Sequence, residues 1–230
     1  MNTIYSSGII SLNVQVVTGI LDIIALMKPV KGPLIFVKQL LWIEFLVQLV
    51  EASFYVWLIS KIHRQDITHV RYYDWVFTTP TMLFTYIMYL IYIHDKSVNY
   101  SLYDTTMKHL NEILPIFGLN TAMLFFGFLA EIKRIPALLG VVLGFIPFFA
   151  MFIWIYYAFA RESKIGRYTF WYFSGVWGLY GVAALMPYVY KNISYNVLDI
   201  FSKNFFGLFL AGVILLYSGS KTEAKVPNII

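Results

Sequence analysis

Lys203 stands inside the apolar run 197–217, which holds no other base and one acid, Asp199. A lysine at that depth in a bilayer costs several kcal/mol unless something neutralises it or uses it. Asp199 precedes it by four residues, so on a helix the carboxylate lies one turn from the lysine stem. A second cluster, Arg71-Tyr72-Tyr73-Asp74-Trp75 followed by Thr78-Thr79-Pro80, puts an arginine and another carboxylate into a different apolar segment. A lysine amine condenses with an aldehyde to a Schiff base. Burial disfavours the protonated form of such a base, and adjacent carboxylates favour it. Two acids and an arginine around one buried lysine therefore suit a covalently held, positively charged chromophore with its counter-ions.

The elements that must position these groups are membrane helices. The 230 residues are 60% hydrophobic and 13% charged, which sets a water-soluble domain aside. There is no cysteine, so no disulfide framework or thiolate metal site is available. The first apolar run reads as a retained helix and not as a signal peptide. About 20 mostly apolar residues cross the hydrocarbon layer. Seven stretches qualify: 4–27, 34–60, 71–93, 109–131, 136–160, 168–190 and 194–217. The expectation is an all-α integral membrane protein. Residues 1–230 form a single seven-transmembrane-helix bundle with short loops, in the plasma membrane or another host membrane.

Charge sets the direction. With the N-terminus outside and the C-terminus cytoplasmic, Lys28, Lys31, Lys38, Lys96, Lys108, Arg161, Lys164, Arg167, Lys221 and Lys225 lie inside. Lys61, Arg64, Lys133, Arg134 and Lys191 lie outside, in keeping with the positive-inside rule. The net charge of +5 is thus topological, and no nucleic-acid partner is expected. The four histidines, His63, His69, His94 and His109, have no ligand spacing, so no metal is expected. Asn99 and Asn192 begin glycosylation sequons, of which only the second falls on the outer side.

Along most of its length the chain resembles the microbial (type I) rhodopsins. Helix three, Arg71 to Pro80, is similar to that family's counter-ion helix. Helix seven, Leu198-Asp199-Ile200-Phe201-Ser202-Lys203-Asn204-Phe205-Phe206-Gly207, is similar to its retinal-attachment helix. The resemblance implies all-trans retinal bound to Lys203 and no enzymatic activity. It implies Asp74 as primary counter-ion and proton acceptor and Asp199 as second counter-ion, with Arg71 and Tyr55 completing the complex. Trp75, Thr78, Thr79, Asn120, Met123, Trp177 and Tyr180 would form the pocket. Thr79 and Asn120 would link helices three and four beside the chromophore. Two departures concern the pocket's far end: Gly181 replaces the proline common after Tyr180, and helix five lacks a clear pocket tryptophan.

The transported species turns on other residues. Thr85 occupies the position where the family's proton pumps usually carry a carboxylate donor, and a threonine cannot hold and donate a proton at neutral pH. Helix two instead shows Glu44, Gln48, Glu51 and Tyr55 at i, i+4, i+7 and i+11, a polar stripe along one face. Glutamates two turns apart are natural along a hydrated cation path. Ser11, Glu51 and Asn204 resemble the central gate of the channelrhodopsins, and Glu44 resembles a residue of their inner gate. The expected function is a retinal photoreceptor acting as a light-gated cation channel, its permeant species cations or protons. A light-driven outward proton pump and a sensory rhodopsin remain as alternatives. The outer glutamates usual on helix two are absent, Leu58 and Ile62 standing there, with Asp66 nearby. The short chain looks most like the rhodopsins of large algal viruses, and the family suggests a homo-oligomer. Asp22, toward the cytoplasmic end of helix one, is expected to sit at the headgroups in preference to joining Glu44.

Overall fold

The computed structural model describes residues 2–61, 66–94 and 101–219. Ile62, His63, Arg64, Lys96, Asn99, Lys221 and Lys225 lie outside the described residues. The elements are α1 (Asn2–Leu26), α2 (Leu34–Lys61), α3 (Arg71–His94), α4 (Leu102–Lys108), α5 (Leu110–Glu131), α6 (Ala137–Ile155), α7 (Lys164–Ala184) and α8 (Tyr188–Tyr217). A π-helical turn, Tyr156–Ala160, continues α6. Among the described residues there is no strand.

Seven of these helices build the bundle, and their neighbours follow chain order until α8 closes on α1 and α2. Five of them, α1, α3, α5, α6 with its π turn, and α8, are long and apolar enough to cross a membrane by composition alone. The other two, α2 and α7, carry more polar residues. Helix α2 holds Glu44, Gln48 and Glu51, and all three turn inward and are buried. The outside of the bundle is greasy instead. On α6, Leu138, Val142, Ile146, Phe149 and Ile153 are all exposed, a face that suits lipid. Polar groups are inside and apolar groups outside, the arrangement a bilayer demands.

Three boundaries differ from the sequence expectation. The short α4 precedes α5; Ser101 caps it by accepting a hydrogen bond from the Asp104 amide at 3.2 Å. Helix α7 covers Lys164–Ala184, earlier at both ends than the expected 168–190. Helix α8 begins at Tyr188, not at 194, with Pro187 as its N-cap. The segment 188–193 is too polar to read as lipid-spanning, yet Asn192 is fully buried and faces the bundle. Between α1 and α2, Gly32 takes φ +54 in the turn ahead of Pro33, a conformation that favours glycine.

Candidate functional site

Lys203 sits on α8 in the middle of the bundle, 2% exposed. Its Nζ donates to Asp74 Oδ2 of α3 at 2.5 Å. Glu51 Oε1 of α2 lies 3.2 Å away and Asp199 Oδ1 of α8 3.8 Å away. Three carboxylates from three helices thus cage one ammonium. The i, i+4 neighbour Asp199 is the most distant of the three, because helix α3 brings Asp74 directly against the nitrogen. Glu51, read from sequence only as a gate residue, is part of this cage.

Asp199 is held by other donors. Tyr55 donates to its Oδ2 at 2.6 Å and Tyr180 to its Oδ1 at 2.6 Å. Arg71 Nη1 approaches Oδ2 at 3.5 Å. The arginine itself is fully buried, which requires partners on all sides. Its Nη2 donates to Asn196 Oδ1 at 2.5 Å and its Nε to Asn192 Oδ1 at 3.2 Å. The guanidinium also lies over the Tyr195 ring, 5.6 Å from its centroid. Asn196 went unrecognised in the sequence, and Asn192 was read only as an outer glycosylation sequon, whereas its amide is fully buried and bonded inside the bundle. They stand four residues apart, the first three before Asp199, so all lie on one face of α8 once the helix is known to start at Tyr188.

Beside the lysine lies a cavity of about 110 Å³, lined among others by Trp75, Trp177, Tyr180, Phe145, Phe148 and Lys203. Thr79 and Met123 also line it, as expected. Thr78 and Asn120 are not among its lining residues. The Thr78 hydroxyl turns back to the Asp74 carbonyl at 3.0 Å, a bond open to any helical threonine. Asn120 donates to Thr79 Oγ1 at 2.9 Å, tying α5 to α3 from behind the wall. The two sequence departures are one feature. A Cβ at Gly181 would lie 2.6 Å from the Phe145 ring, so glycine lets this phenylalanine of α6 close the far end where no tryptophan is available. An apolar slot with aromatic walls and one amine fits a long, flat polyene aldehyde.

The remaining candidates stand apart from the slot. Ser11, Asn204 and Gln48 are buried. Gln48 Nε2 donates to the Lys203 carbonyl at 3.0 Å. Glu44 accepts a hydrogen bond from the Thr85 hydroxyl, which joins the two positions that the pump and channel readings set against each other. Asp22 is fully buried, not at the headgroups. Its carboxylate packs against Gly207 of α8, in space that any larger residue would fill.

A seven-helix membrane bundle with a caged lysine beside an aromatic slot is the architecture of the microbial rhodopsins. The chain belongs to the bacteriorhodopsin-like protein family, whose model matches residues 6–216. The family binds retinal, and its members are multi-pass membrane photoreceptors and ion transporters, generally not enzymes. The crystal structure of viral rhodopsin OLPVRII is similar at 27% identity and a TM-score of 0.79, covering 91% of this chain and 96% of that one. Blue light-absorbing proteorhodopsin from Med12 shares 17% identity at a TM-score of 0.74, covering 94% and 99%. Xanthorhodopsin, described as a light-driven ion pump with dual chromophore, shares 14% at 0.72, covering 94% and 93%. No curated protein matches the sequence.

Proposed function

We propose that this protein is a light-gated cation channel, with all-trans retinal on Lys203 and residues 1–230 as one retinal-binding membrane domain, its N-terminus outside. The observation that carries the reading is Glu51. It belongs at once to the cage around Lys203 and to the buried polar stripe of α2, so a change at the nitrogen acts directly on that stripe.

Bound in the slot, retinal supplies a light-driven isomerisation that reorients the bond to the Lys203 nitrogen. Asp74, nearest that nitrogen, is placed to take its proton. Asp199 is pinned by Tyr55, Tyr180 and the Arg71 guanidinium, and it stays in place as the second anion. Once Lys203 no longer carries charge, Glu51 loses its partner and is free to turn toward Ser11 and Asn204. Gln48 links this movement to the backbone of α8 through the Lys203 carbonyl. Thr85 in place of a carboxylate leaves Lys203 without the usual cytoplasmic proton donor, which suits a channel that passes ions until the nitrogen recovers its proton.

The test is a light-evoked current–voltage relation in retinal-supplied cells. A channel current reverses with voltage. Outward current at every voltage would identify a proton pump, with Glu44 the first candidate donor. A coloured protein without current would identify a sensor.

A further inference from the structure

The face that α1 turns inward has the same spacing as the stripe on α2. Ser11, Gln15, Thr18 and Asp22 fall at i, i+4, i+7 and i+11, and each is at most 1% exposed. Helix α1 packs on α2 and α8, and Asp22 of this face lies against Gly207 of α8. The chemistry of the lining is one-sided. Among the described residues of α1, α2 and α8, every buried side-chain N or O atom without a hydrogen-bond partner is an oxygen. Toward α1 and α8 they are Gln15 Oε1, both oxygens of Asp22, Glu44 Oε2, Gln48 Oε1, Glu51 Oε2 and Asn204 Oδ1; Glu51 Oε1 is turned to Lys203 at 3.2 Å, and Gln39 Oε1 lies on the α4 side of α2. Gln48 cannot correct this by turning its amide over, since its Nε2 already donates to the Lys203 carbonyl.

Asp22 is the extreme case. Its carboxylate has no donor on either oxygen and is fully buried, and no base of the described residues forms an ion pair with it. Gly207 is what makes room for it. A Cβ there would lie 3.2 Å from Oδ2 and 3.6 Å from Oδ1, and Gly207 is one helical turn beyond Lys203. An unpaired buried carboxylate is costly, and it is relieved either by a proton or by a cation, neither of which a wall of acceptors supplies. Carboxylate and amide oxygens are the ligands that replace the water shell of a hard cation.

We propose that the buried polar seam between α1, α2 and α8 holds an alkali-metal cation, with Asp22 as its charged ligand and amide and Glu44 oxygens completing the shell. The site is the inner stretch of the ion path, so this inference rests on the channel reading. It assigns to Asp22 the step at which a permeating ion sheds water on its way past Lys203.

The dark pigment, purified in detergent with its retinal, tests the site without any current. Its thermal bleaching is followed in sodium or potassium chloride and in N-methyl-D-glucamine chloride at equal ionic strength. A bound ion stabilises the folded state by mass action. Wild type is expected to bleach at higher temperature in the alkali salts, and Asp22→Asn is expected to lose that difference. A wild-type pigment indifferent to the cation overturns the site, as does an Asn variant that keeps the full difference. Photocurrent then separates the two claims. Current that reverses in wild type and falls severalfold per unit pigment in Asp22→Asn, with partial return in Asp22→Glu, supports the assignment. Reversing current that Asp22→Asn leaves unchanged overturns Asp22 as a path residue while the channel stands. Current that never reverses overturns the channel, whatever the bleaching shows. If Asp22→Asn yields no pigment, Gly207→Ala crowds the same carboxylate and is read the same way.

Discussion

The two ends of the buried polar file are built on opposite rules. Where α8 begins, most donors and acceptors are matched across three helices, and Arg71 Nη1, without a hydrogen bond, stands 3.5 Å from Asp199. Arg71 is tied to Asn192 and Asn196, Asn192 also to Thr68, and Asn196 also to Ile4 and Ser7. Beyond Lys203 the lining is mostly acceptors, with Asp22 holding none of its bonding capacity within the protein. A closed network fixes charges in place, since moving any member strands another without a partner. An open set of acceptors has vacancies only a mobile species can fill. On the proposed channel reading, the Arg71 end keeps charges in position and the Asp22 end carries the ions, with the Lys203 cage between them.

The largest effect expected falls on the cage. Lys203→Ala removes the only amine in the slot, and the protein purified with retinal should show no visible absorbance. A coloured variant would place the chromophore elsewhere. Asp74→Asn takes away the carboxylate 2.5 Å from the nitrogen. Losing that anion narrows the gap between ground and excited states, so the absorbance should move clearly to the red. An unmoved spectrum would pass the counter-ion role to Asp199 or Glu51.

The closed end is tested by Asn196→Leu, which keeps bulk and removes the acceptor of Arg71 Nη2, while Tyr55 keeps its bond to Asp199. Stranding that charged donor should cost about 1–3 kcal/mol, read as earlier thermal bleaching. No change would mean the network is not the clamp described. Gly181→Ala probes the slot. Its Cβ would press on the Phe145 ring, and overpacking of this kind costs about 1–3 kcal/mol, with slower uptake of retinal as the readout. The smallest effect is expected at Thr85→Val. It removes the hydroxyl bonded to Glu44 at the open end and should alter the recovery rate after a flash without moving the spectrum.

Much of the site was legible because charge in an apolar helix is rare enough to stand out. Lys203, Asp74, Arg71 and Asp199 come together as their segments suggested, and the inward stripe of α2 is buried as its spacing required. Asn192 and Asn196 were hidden for a physical reason. Neutral amides carry no charge signal, and the polar start of α8 reads as a loop until packing shows that its polar side faces a buried arginine. Asp22 was misjudged because a lone acid near a helix end is usually solvated at the interface. The signal that would have placed it was present: Ser11, Gln15, Thr18 and Asp22 repeat the spacing of the α2 stripe, and two such stripes on adjacent helices imply a shared interior. Helix α4 was short of any membrane length, although Ser101 followed by Asp104 is a capping pattern. The fit of Phe145 against Gly181 depends on how α6 and α7 approach, which no single-helix pattern contains.

The central claim is that the chromophore cage and the ion path share one residue, Glu51. The direct measurement is the light-evoked current–voltage relation of Glu51→Gln, normalised to pigment and repeated with external sodium replaced. The account predicts a pigment that still forms on Lys203, together with a photocurrent whose size or reversal potential departs from wild type. A Glu51→Gln pigment with wild-type current and wild-type reversal in both solutions would contradict it.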